Sequence, residues 1–504
     1  MGGETRMHPY KAKEKKKHLK TKEELLAENE PPVAPEGRTV IAQFISSDDG
    51  SSTGPPLNLP ANVTPEQLKL LLNDLLQNED PLPYSFFVSD SEITNDLNTD
   101  IIEGKKCSTE ETITILYQPQ AVFRIRNVTR CTSSLTGHSE AILSVCFSPD
   151  GSQLATGSGD TTVRIWDLNT ETPQFTLTGH KNWVQHVAWA PDSSMLASGG
   201  MDTSIRLWNP KTGKAIGTDL KGHTKPITSI VWEPYMRSAN CNRFATGSMD
   251  GTVRVWDAVQ RRTLFTLSQH TGPVMCVKWG GDGLIYTGSR DKTIKVWDSA
   301  DGKLVRSLEG HAHWVNHLTL STDYVLRSGP YDHTGKIFTS REEAHRVAIE
   351  RYHQFKGPKP ERLASGSDDH TLFLWEPSTT KKAIARMTGH QQLVNHLSFS
   401  PDGRMIASAS FDKSVKLWDG VTGKFINTLR GHVGSVYQTT WSADSRIVLS
   451  GSKDSTLKCW DLKTHKIKMD LPGHLDEVFS VDWSPRGDRV ASGGKDRILK
   501  IWRQ

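Results

Sequence analysis

The sequence predicts a mainly β protein in which a small α+β domain precedes a β-propeller of eight blades. Three observations support this prediction. A pattern of four residues recurs eight times after residue 137, strand and helix patterns alternate within residues 39–118, and the charge changes sign between these two parts. Residues 39–118 contain 3 Lys/Arg and 13 Asp/Glu, whereas residues 119–504 contain 49 and 37. Such an asymmetry suggests different partners for the two parts.

Residues 1–38 are predicted to form a basic, disordered tail. The tail would serve nuclear import or contact with nucleic acid, or it would be solvated charge and nothing more. No apolar segment follows that could act as a secretory signal, and no run in the chain approaches the roughly 18 apolar residues of a membrane span, so no membrane partner is expected. The basic residues concerned are Lys11, Lys13, Lys15, Lys16, Lys17, Lys20 and Lys22.

Residues 39–118 are predicted to form a separate domain with the element order β-β-α-β-β. The segment TVIAQFI alternates as a strand, and PLNLP is its expected hairpin partner. Thr64 is the predicted N-cap of a helix with Pro65 at its first position and Gln67 as capping-box partner. Two strands follow, YSFFV and ETITILY, and the order resembles a ubiquitin-like roll. The helix would turn five leucines inward: Leu68, Leu71, Leu72, Leu75 and Leu76.

The repeated pattern begins with His138, Thr156, Asp160 and Trp166. A hydroxyl, an imidazole and a carboxylate are also the side chains of a hydrolase active site. An enzyme needs one such catalytic set, however, and here the Asp-to-Trp spacing of six recurs in eight units. The pattern resembles the WD40 repeat, in which each unit supplies four strands of a blade and the four side chains form a hydrogen-bonded chain. We therefore predict a structural role. The Asp/Trp pairs are Asp160/Trp166, Asp202/Trp208, Asp250/Trp256, Asp291/Trp297, Asp369/Trp375, Asp412/Trp418, Asp454/Trp460 and Asp496/Trp502.

Closure of the ring is predicted from the last unit. This unit ends at Gln504, two residues after Trp502, and leaves no room for a fourth strand. The missing strand is expected upstream of the first unit, within VFRIRNVTRCTSSLTG. Pairing between the two ends would close the ring and leave no terminal blade edge exposed.

The fifth unit carries an insertion that predicts a helix at about residues 335–360. The His-to-Trp separation is 64 residues in this unit and 28 in five of the others. Ser340 and Glu343 form a capping-box pattern, and Gly357 followed by Pro358 ends the helix. We expect the helix to project from blade five. It either packs on the propeller as a decoration or docks a partner.

Interface candidates are predicted on one rim of the propeller, where the loops after each Gly-His and before each Asp lie. Large apolar, aromatic or cationic residues at such turns favour an interface, since interfaces are enriched in Trp, Met and Arg. The alternative is that they pack against neighbouring loops. The candidates are Trp183, Met201, Met249, Arg290, Trp314, Phe411, Lys453 and Lys495.

No motif in the sequence predicts catalysis. There is no GxxxxGK[ST], HExxH or GxSxG pattern, and the six cysteines include no CxxC pair. We therefore predict a binding protein that is not an enzyme, with no small-molecule substrate and no cofactor of its own. The isolated cysteines favour a reducing compartment, the cytosol or the nucleus.

Beyond the repeat, the chain from about residue 39 resembles the Notchless family of ribosome-assembly proteins. The resemblance rests on the ubiquitin-like module before an eight-bladed ring and on two phrases, HAHWVNHLTLSTDYVLRSGPYDHTGK and RMTGHQQLVNHLSFSPDGRMIASASFDKSVKLWDG. It implies a factor that joins precursors of the large ribosomal subunit (pre-60S), with their ribosomal RNA and ribosomal proteins, in the nucleus and nucleolus. The family name also implies a Notch-type receptor as a further partner.

The resemblance further implies a site in the N-terminal module. In the family this module is bound by the metal-site domain of the AAA ATPase midasin, and an acidic side chain before the last strand completes the coordination of the divalent cation. Glu110 is the matching position, in a partner-binding loop with Ser108, Thr109 and Glu111. A carboxylate oxygen suits a hard cation such as Mg²⁺. Glu111 is the alternative ligand, and without the resemblance Glu110 is a solvated loop charge.

Two other functions compete with ribosome assembly. The first is a WD40 substrate receptor of a ubiquitin ligase, and the second is a Gβ-like signalling scaffold. The sequence offers no F-box-like helical segment for the receptor. It also lacks the long N-terminal helix with which a Gβ-like protein pairs to a small subunit.

Overall fold

The computed structural model describes residues 39–47, 50–78, 82–88, 91–93, 95–98, 112–120, 123 and 125–504. The predicted basic tail and the loop that contains Glu110 lie outside these residues. The chain forms two compact units, which divide between Gln120 and Ala121.

The first unit is one mixed sheet with a helix against it. The five strands follow the order β2-β1-β5-β3-β4, and β1 and β5 run parallel, with Ala42 opposite Ile113. This is the arrangement expected of the predicted ubiquitin-like roll, and β4 is an addition too short to be predicted from sequence. The elements are β1 (Thr39–Ser46), β2 (Ser52–Pro60), α1 (Pro65–Leu76), β3 (Tyr84–Val88), β4 (Ser91–Glu92) and β5 (Ile113–Pro119).

Helix α1 begins as the sequence predicts. The Thr64 hydroxyl accepts a hydrogen bond from the Gln67 backbone N–H, and the Gln67 side chain accepts one from the Thr64 N–H, which completes the capping box. Leu68 and Leu72 are fully buried against the sheet. Gln77 adopts a left-handed conformation at φ 53° and ends the helix.

The second unit is a propeller of eight four-stranded antiparallel sheets, which confirms the predicted number of blades. The first strand of each blade contacts the first strands of both neighbours and so forms the wall of a central channel. The strands are, for blade 1, β7 (Ile142–Phe147), β8 (Gln153–Ser158), β9 (Val163–Asp167) and β10 (Thr172–Leu177); for blade 2, β11 (Val184–Trp189), β12 (Leu196–Gly200), β13 (Ile205–Asn209) and β14 (Lys214–Ala215); for blade 3, β15 (Ile227–Trp232), β16 (Arg243–Ser248), β17 (Val253–Asp257) and β18 (Arg262–Leu267); and for blade 4, β19 (Val274–Trp279), β20 (Leu284–Ser289), β21 (Ile294–Asp298) and β22 (Leu304–Leu308).

The remaining blades repeat this plan, although the fifth is interrupted after its first strand. The strands are, for blade 5, β23 (Val315–Leu320), β24 (Leu363–Ser367), β25 (Leu372–Trp375) and β26 (Ala383–Met387); for blade 6, β27 (Val394–Phe399), β28 (Met405–Ser410), β29 (Ser414–Asp419) and β30 (Phe425–Arg430); for blade 7, β31 (Val436–Trp441), β32 (Ile447–Ser452), β33 (Leu457–Asp461) and β34 (Lys466–Leu471); and for blade 8, β35 (Val478–Trp483), β36 (Val490–Gly494), β37 (Leu499–Arg503) and β6 (Arg130–Leu135).

The ring closes through β6, as predicted. This strand pairs antiparallel with β37, and Leu135 lies opposite Leu499. The apolar core continues across the closure, where Ile142 and Val145 of blade 1 pack against Ile501 of blade 8. Because β6 pairs with the outer edge of β37, the last blade has four strands like the others, and β6 is its edge strand.

The insertion in blade 5 contains two helices, α2 (Asp323–Ser328) and α3 (Arg341–Lys356). The Ser340 hydroxyl accepts from the Glu343 N–H at 3.1 Å, as the predicted cap requires. The Glu343 carboxylate, however, accepts from Lys336 Nζ at 3.0 Å. The second half of the predicted capping box is therefore wrong, because an ion pair with a preceding residue takes up the side chain.

Helix α3 does not project from the propeller, contrary to the prediction. Ala344 and Ala348 are buried in a cluster with Tyr235 and Trp232 of blade 3. The Tyr352 hydroxyl, farther along the same face, donates hydrogen bonds to the Glu361 and Asp282 carboxylates at 3.0 and 3.1 Å. One face of the helix is therefore packed on blades 3 and 4, as the decoration alternative predicts.

Candidate functional site: the blade tetrads, the rim and the channel

The four repeated residues of each blade form a hydrogen-bonded tetrad. In blade 1, Trp166 Nε1–H donates to the Thr156 hydroxyl at 3.0 Å, and this hydroxyl lies 2.8 Å from His138 Nε2. His138 Nδ1 lies 2.8 Å from the Asp160 carboxylate. Every donor thus meets an acceptor when the imidazole is neutral and carries its proton on Nδ1.

The same tetrad is present in all eight blades. The His-to-Asp distances lie between 2.6 and 2.9 Å. The distances from His Nε2 to the hydroxyl lie between 2.7 and 2.9 Å. The interpretation of the opening set as a structural device is therefore confirmed.

Burial keeps the tetrads from acting as nucleophiles. Thr156 is fully buried, as are its seven counterparts, so a substrate cannot reach the hydroxyl. Burial would raise the pKa of the Asp160 carboxyl, but hydrogen bonds from His138 and Thr162 outweigh it and hold that pKa below its ordinary value. The pKa is lowered in the same way in the other seven tetrad aspartates, so all eight remain ionised acceptors at neutral pH.

The rim is built from a second repeated contact. In each blade the residue before the tetrad Asp donates its backbone N–H to the carbonyl of the residue three positions after the tetrad His, at 2.8 to 3.1 Å. Met201 and Trp183 form this contact in blade 2. The eight contacts place all predicted rim candidates at the same end of the propeller, around the mouth of the channel.

The predicted rim residues differ in exposure. Trp183 and Trp314 are 50% and 38% exposed. The guanidinium carbon of Arg290 lies 4.3 Å from the centre of the Trp314 ring, so these two candidates stack on each other. Met201, Met249 and Phe411 are half-buried, whereas Lys453 and Lys495 are exposed. That any of them contacts a partner stays a prediction.

Sequence reasoning missed a ring of side chains inside the channel. The residue six positions after each tetrad His lies on the channel wall, and in several blades its side chain accepts an N–H from the next blade. Ser480 accepts from Val145 at 3.1 Å, for example, and Gln438 accepts from Val481 at 3.1 Å. We call this ring the girdle. Its signal was available as a third fixed offset within the repeat: Ser144, His186, Ser229, Cys276, His317, His396, Gln438 and Ser480.

Three girdle positions are histidines. His317 Nδ1 accepts from Leu397 N–H at 3.4 Å, and His396 Nδ1 accepts from Thr439 N–H at 3.5 Å. Burial and, to a smaller extent, the Lys278 ammonium together lower the pKa of His396 to about 3 and that of His186 to about 4. Burial also lowers the pKa of His317 well below its ordinary value. These imidazoles are therefore neutral at physiological pH.

Helix α2 closes the channel at the end opposite the rim. Arg327 donates two hydrogen bonds to the Asp482 carboxylate of blade 8, at 2.7 and 2.6 Å. Asp323 pairs with Lys278 of blade 4 at 2.9 Å. The channel contains a cavity of about 530 Å³ that includes α2 in its lining.

The remaining sequence predictions about ligands have different outcomes. Glu110, Ser108, Thr109 and Glu111 lie outside the described residues, so the metal-ligand prediction stays untested. Within the part of the chain that is described, no group of three or more His, Cys, Asp or Glu side chains could hold a metal ion. No helix of that part is long and apolar enough to cross a membrane.

The geometry defines a WD-repeat β-propeller with an α+β domain before it, and family comparisons agree. The model described as "NLE (NUC135) domain" matches residues 40–100. The model described as "WD domain, G-beta repeat" matches residues 129–167, 171–209, 213–257, 261–298, 381–419, 423–461 and 465–503. The unit of blade 5 is not among these matches, and the insertion explains this difference.

Individual relatives narrow the class to one family. The chain is 59% identical to "Notchless protein homolog" of Arabidopsis thaliana over 78% of this chain and 82% of that protein. It is 52% identical to "Protein Notchless" of Drosophila melanogaster, over 73% and 76%. It is 48% identical to "Ribosome assembly protein 4" of Saccharomyces cerevisiae, over 77% and 79%. The chain belongs to the Notchless family.

A solved structure supports the propeller fold. The crystal structure of the computationally designed Ika8 protein matches with a TM-score of 0.59 and 26% identity. The match covers 74% of this chain and all of the designed one.

Proposed function

We propose that this protein is a non-catalytic adaptor in the assembly of the large ribosomal subunit, acting in the nucleus and nucleolus. The observation that carries the proposal is the 48% identity to Ribosome assembly protein 4, which extends over 77% of this chain and 79% of that protein. An alignment of this extent includes the propeller and not only its repeat signature.

In this proposal the N-terminal module is held by the metal-site domain of a midasin-type AAA ATPase. Glu110 would supply a carboxylate oxygen to the divalent cation of that ATPase, and Ser108, Thr109 and Glu111 would contact the partner around it. The support is the Notchless-type loop sequence GKKCSTEE before β5, together with the excess of acidic residues in the module. A ligand supplied from another chain makes binding depend on the metal.

Force applied to the module would enter the propeller through β6. The β6–β37 ladder runs from the pair Arg130 and Arg503 to the pair Leu135 and Leu499. Just before β6, Thr129 N–H donates to the Arg503 carbonyl at 2.7 Å, and Ile125 N–H donates to the Asp444 carboxylate at 2.7 Å. These bonds to blades 7 and 8 would spread a pull over more than one strand.

The test is binding to the purified metal-site domain of the ATPase in the presence of Mg²⁺. Glu110→Gln removes the charge but keeps the size of the side chain, and we expect binding to fall at least a hundredfold. Asp74→Asn is the matched control, because Asp74 is exposed on α1 and the substitution removes the same charge. We expect the control to bind like the wild type. We also expect EDTA to abolish the binding of the wild type and of the control.

Two outcomes would contradict the proposal. If Glu110→Gln binds as tightly as the control, the ligand assignment is wrong. If Glu111→Gln alone then shows the hundredfold loss of binding, Glu111 is the ligand instead. If the wild-type protein migrates only in the light fractions of a sucrose gradient, away from large-subunit precursors, the assembly function itself is wrong. A ubiquitin-ligase receptor or a signalling scaffold would then be favoured.

A further inference from the structure

A cluster of cations occupies the rim end of blades 3 and 4. Lys221 precedes the Gly-His of blade 3, Lys225 follows it, and Lys292 follows the tetrad Asp of blade 4. Arg254 and Lys295 lie opposite the tetrad hydroxyls in the β16–β17 and β20–β21 pairs. Together with the rim residue Arg290 they form a surface that we call the blade 3–4 patch: Lys221, Lys225, Arg254, Arg290, Lys292 and Lys295.

The patch cations have no acidic partners in the described part of the chain. Equivalent cations in two other blades do: Arg206 pairs with Asp219 at 2.7 Å, and Lys458 pairs with Asp470 at 2.8 Å. Those of blades 1, 6 and 8 donate to neutral oxygens: Arg164 to the Gly137 carbonyl, Lys416 to the Thr428 hydroxyl and Lys500 to the Ser134 hydroxyl. In blade 3 the position opposite Arg254 in the outermost strand, β18, is Thr266, so no acidic side chain stands there. In blades 2 and 7 a nearby aspartate compensates the charge of the equivalent cation, whereas the charge of the patch is not compensated in this way.

Two guanidinium groups of the patch also lack acceptors. The Nε atoms of Arg254 and Arg290 are buried without a hydrogen-bond partner. The nearby carboxylates are those of Asp250 and Asp291, and both are already bonded to their tetrad histidines at 2.8 and 2.6 Å. The Nε atoms of Arg164 and Arg206 are buried without a partner as well, so this feature is not particular to the patch. The side chains of Arg254 and Arg290 are half-buried, and a guanidinium is a strong donor that favours bidentate oxyanions, so their exposed parts are suited to a phosphate from outside the chain.

Two exposed indoles lie at the rim near the patch, and one of them contacts it. Trp183 lies at the rim of blade 2 and Trp314 at the rim of blade 5, and each is three residues after its tetrad His. The stacking of Arg290 on Trp314 joins the cationic and aromatic surfaces. The Trp183 indole instead lies beside Gly159 of blade 1. Indole rings beside a cationic groove provide stacking platforms for unpaired bases, whereas duplex RNA offers mainly its backbone and shape.

We propose that the blade 3–4 patch binds a single-stranded segment of RNA, with phosphates on the cations and a base on Trp314. This inference rests on the proposed function and names the surface by which the factor holds the precursor. An acidic protein segment could satisfy the cations. It would not explain the exposed indole of Trp314 beside the cations as an RNA base does.

The test measures binding of the full chain to a fluorescent single-stranded 12-nucleotide RNA of mixed sequence by anisotropy, at several KCl concentrations. The triple variant Lys221→Gln, Lys225→Gln and Lys292→Gln removes exposed charges and leaves the tetrads intact. The matched control Lys211→Gln, Lys214→Gln and Lys466→Gln removes three exposed lysines from the outer parts of blades 2 and 7.

We expect the patch variant to bind RNA at least tenfold more weakly than the control. The slope of log K against log [KCl] should become shallower by about 2, because each lost phosphate contact to a single strand accounts for about 0.7. Trp314→Ala should weaken binding by about tenfold, since stacking on an aromatic side chain contributes to each base. Circular dichroism of each variant checks that the propeller remains folded.

Three results would overturn the inference. The first is equal loss of affinity in the patch and control variants, and the second is no effect of Trp314→Ala. The third is binding of a polyglutamate peptide of equal charge as tightly as the RNA, which would assign the patch to an acidic protein. Sucrose gradients distinguish this failure from failure of the proposed function. If the wild-type protein co-migrates with precursors and the patch variant crosslinks to RNA as well as the wild type does, only the patch assignment is rejected.

Discussion

Blade 5 and the seven regular blades reach the same local geometry from different sequences. In blade 5, His311 and Asp369 are 58 residues apart, whereas the corresponding pair in blade 6, His390 and Asp412, is separated by 22. The two His-to-Asp distances are nevertheless 2.9 and 2.7 Å. Strand pairing therefore assembles the tetrad. The number of residues between the tetrad His and Asp can vary, provided that the extra residues lie at the end opposite the rim.

The freedom in blade 5 is used to close the channel. The insertion leaves the blade after β23 and returns at β24, and between them α2 reaches Asp482 of blade 8 and Lys278 of blade 4. A buried carboxylate, Glu361, joins both helices to the propeller, since it accepts hydrogen bonds from Thr322, Tyr352 and the Gly281 N–H. Six of the regular blades have turns of four to six residues at this position, whereas blade 3 has residues 233–242, which include Tyr235 in the cluster with α3.

The largest effect is expected from removing a tetrad carboxylate, and it should not distinguish blade 5. Asp369→Ala and Asp412→Ala each leave a buried imidazole N–H and several other donors without an acceptor. We expect each to lower the free energy of opening of its blade by about 3 kcal/mol. Hydrogen exchange of the amides in β23 and β27 measures this free energy.

A much smaller effect in blade 5 would contradict the comparison. It would mean that the helices of the insertion, and not the tetrad, hold that blade together. Glu309→Ala is the control in blade 5, because Glu309 is exposed and precedes the Gly-His of that blade.

An intermediate effect is expected from pH, through the girdle histidines of blades 5 and 6. Burial depresses the pKa of both in the folded protein, to about 3 for His396 and well below the ordinary value for His317. From about pH 6.5 down to about pH 3 the unfolded chain therefore binds more protons, and stability falls as the pH falls. Between pH 7 and 5 we expect His317→Gln with His396→Gln to recover, for each of the two histidines replaced, about 2 kcal/mol of the free energy of unfolding lost by the wild type.

Glutamine is the informative replacement because blade 7 uses Gln438 at the same girdle position as an acceptor. The variant therefore keeps the contact and removes only the titration. His353→Gln, on the exposed side of α3, is the control. Denaturant midpoints at the two pH values provide the measurement, and equal pH dependence of wild type and double variant would exclude the girdle as its source.

The smallest effect is expected at the cap of the insertion. Ser340→Ala removes the hydroxyl that accepts the Glu343 N–H, and such caps contribute about 1 kcal/mol to helix stability. We expect faster hydrogen exchange in α3 and unchanged exchange in β24 and β25. Spread of the effect into those strands would show that the insertion and its blade unfold as one unit.

Much of the fold could be predicted from the sequence because it depends on local patterns repeated many times. The eight tetrads follow from fixed offsets, and the closing strand follows from the missing strand of the last unit. The capping box at Thr64 and Gln67 is a local signal as well. The candidate rim was predictable for the same reason, since loops at one offset lie at one end of a propeller.

The sequence by itself determined the number of blades, the tetrads and the α+β domain, because hydrogen bonding within strands and caps depends on residues at fixed spacing. Only the tertiary structure decided that α3 packs on blades 3 and 4, that α2 closes the channel, and that Glu343 pairs with Lys336. It alone also revealed that the cations of blades 3 and 4 lack acidic partners. These features depend on which distant segments meet, and a periodic pattern carries no information about such encounters.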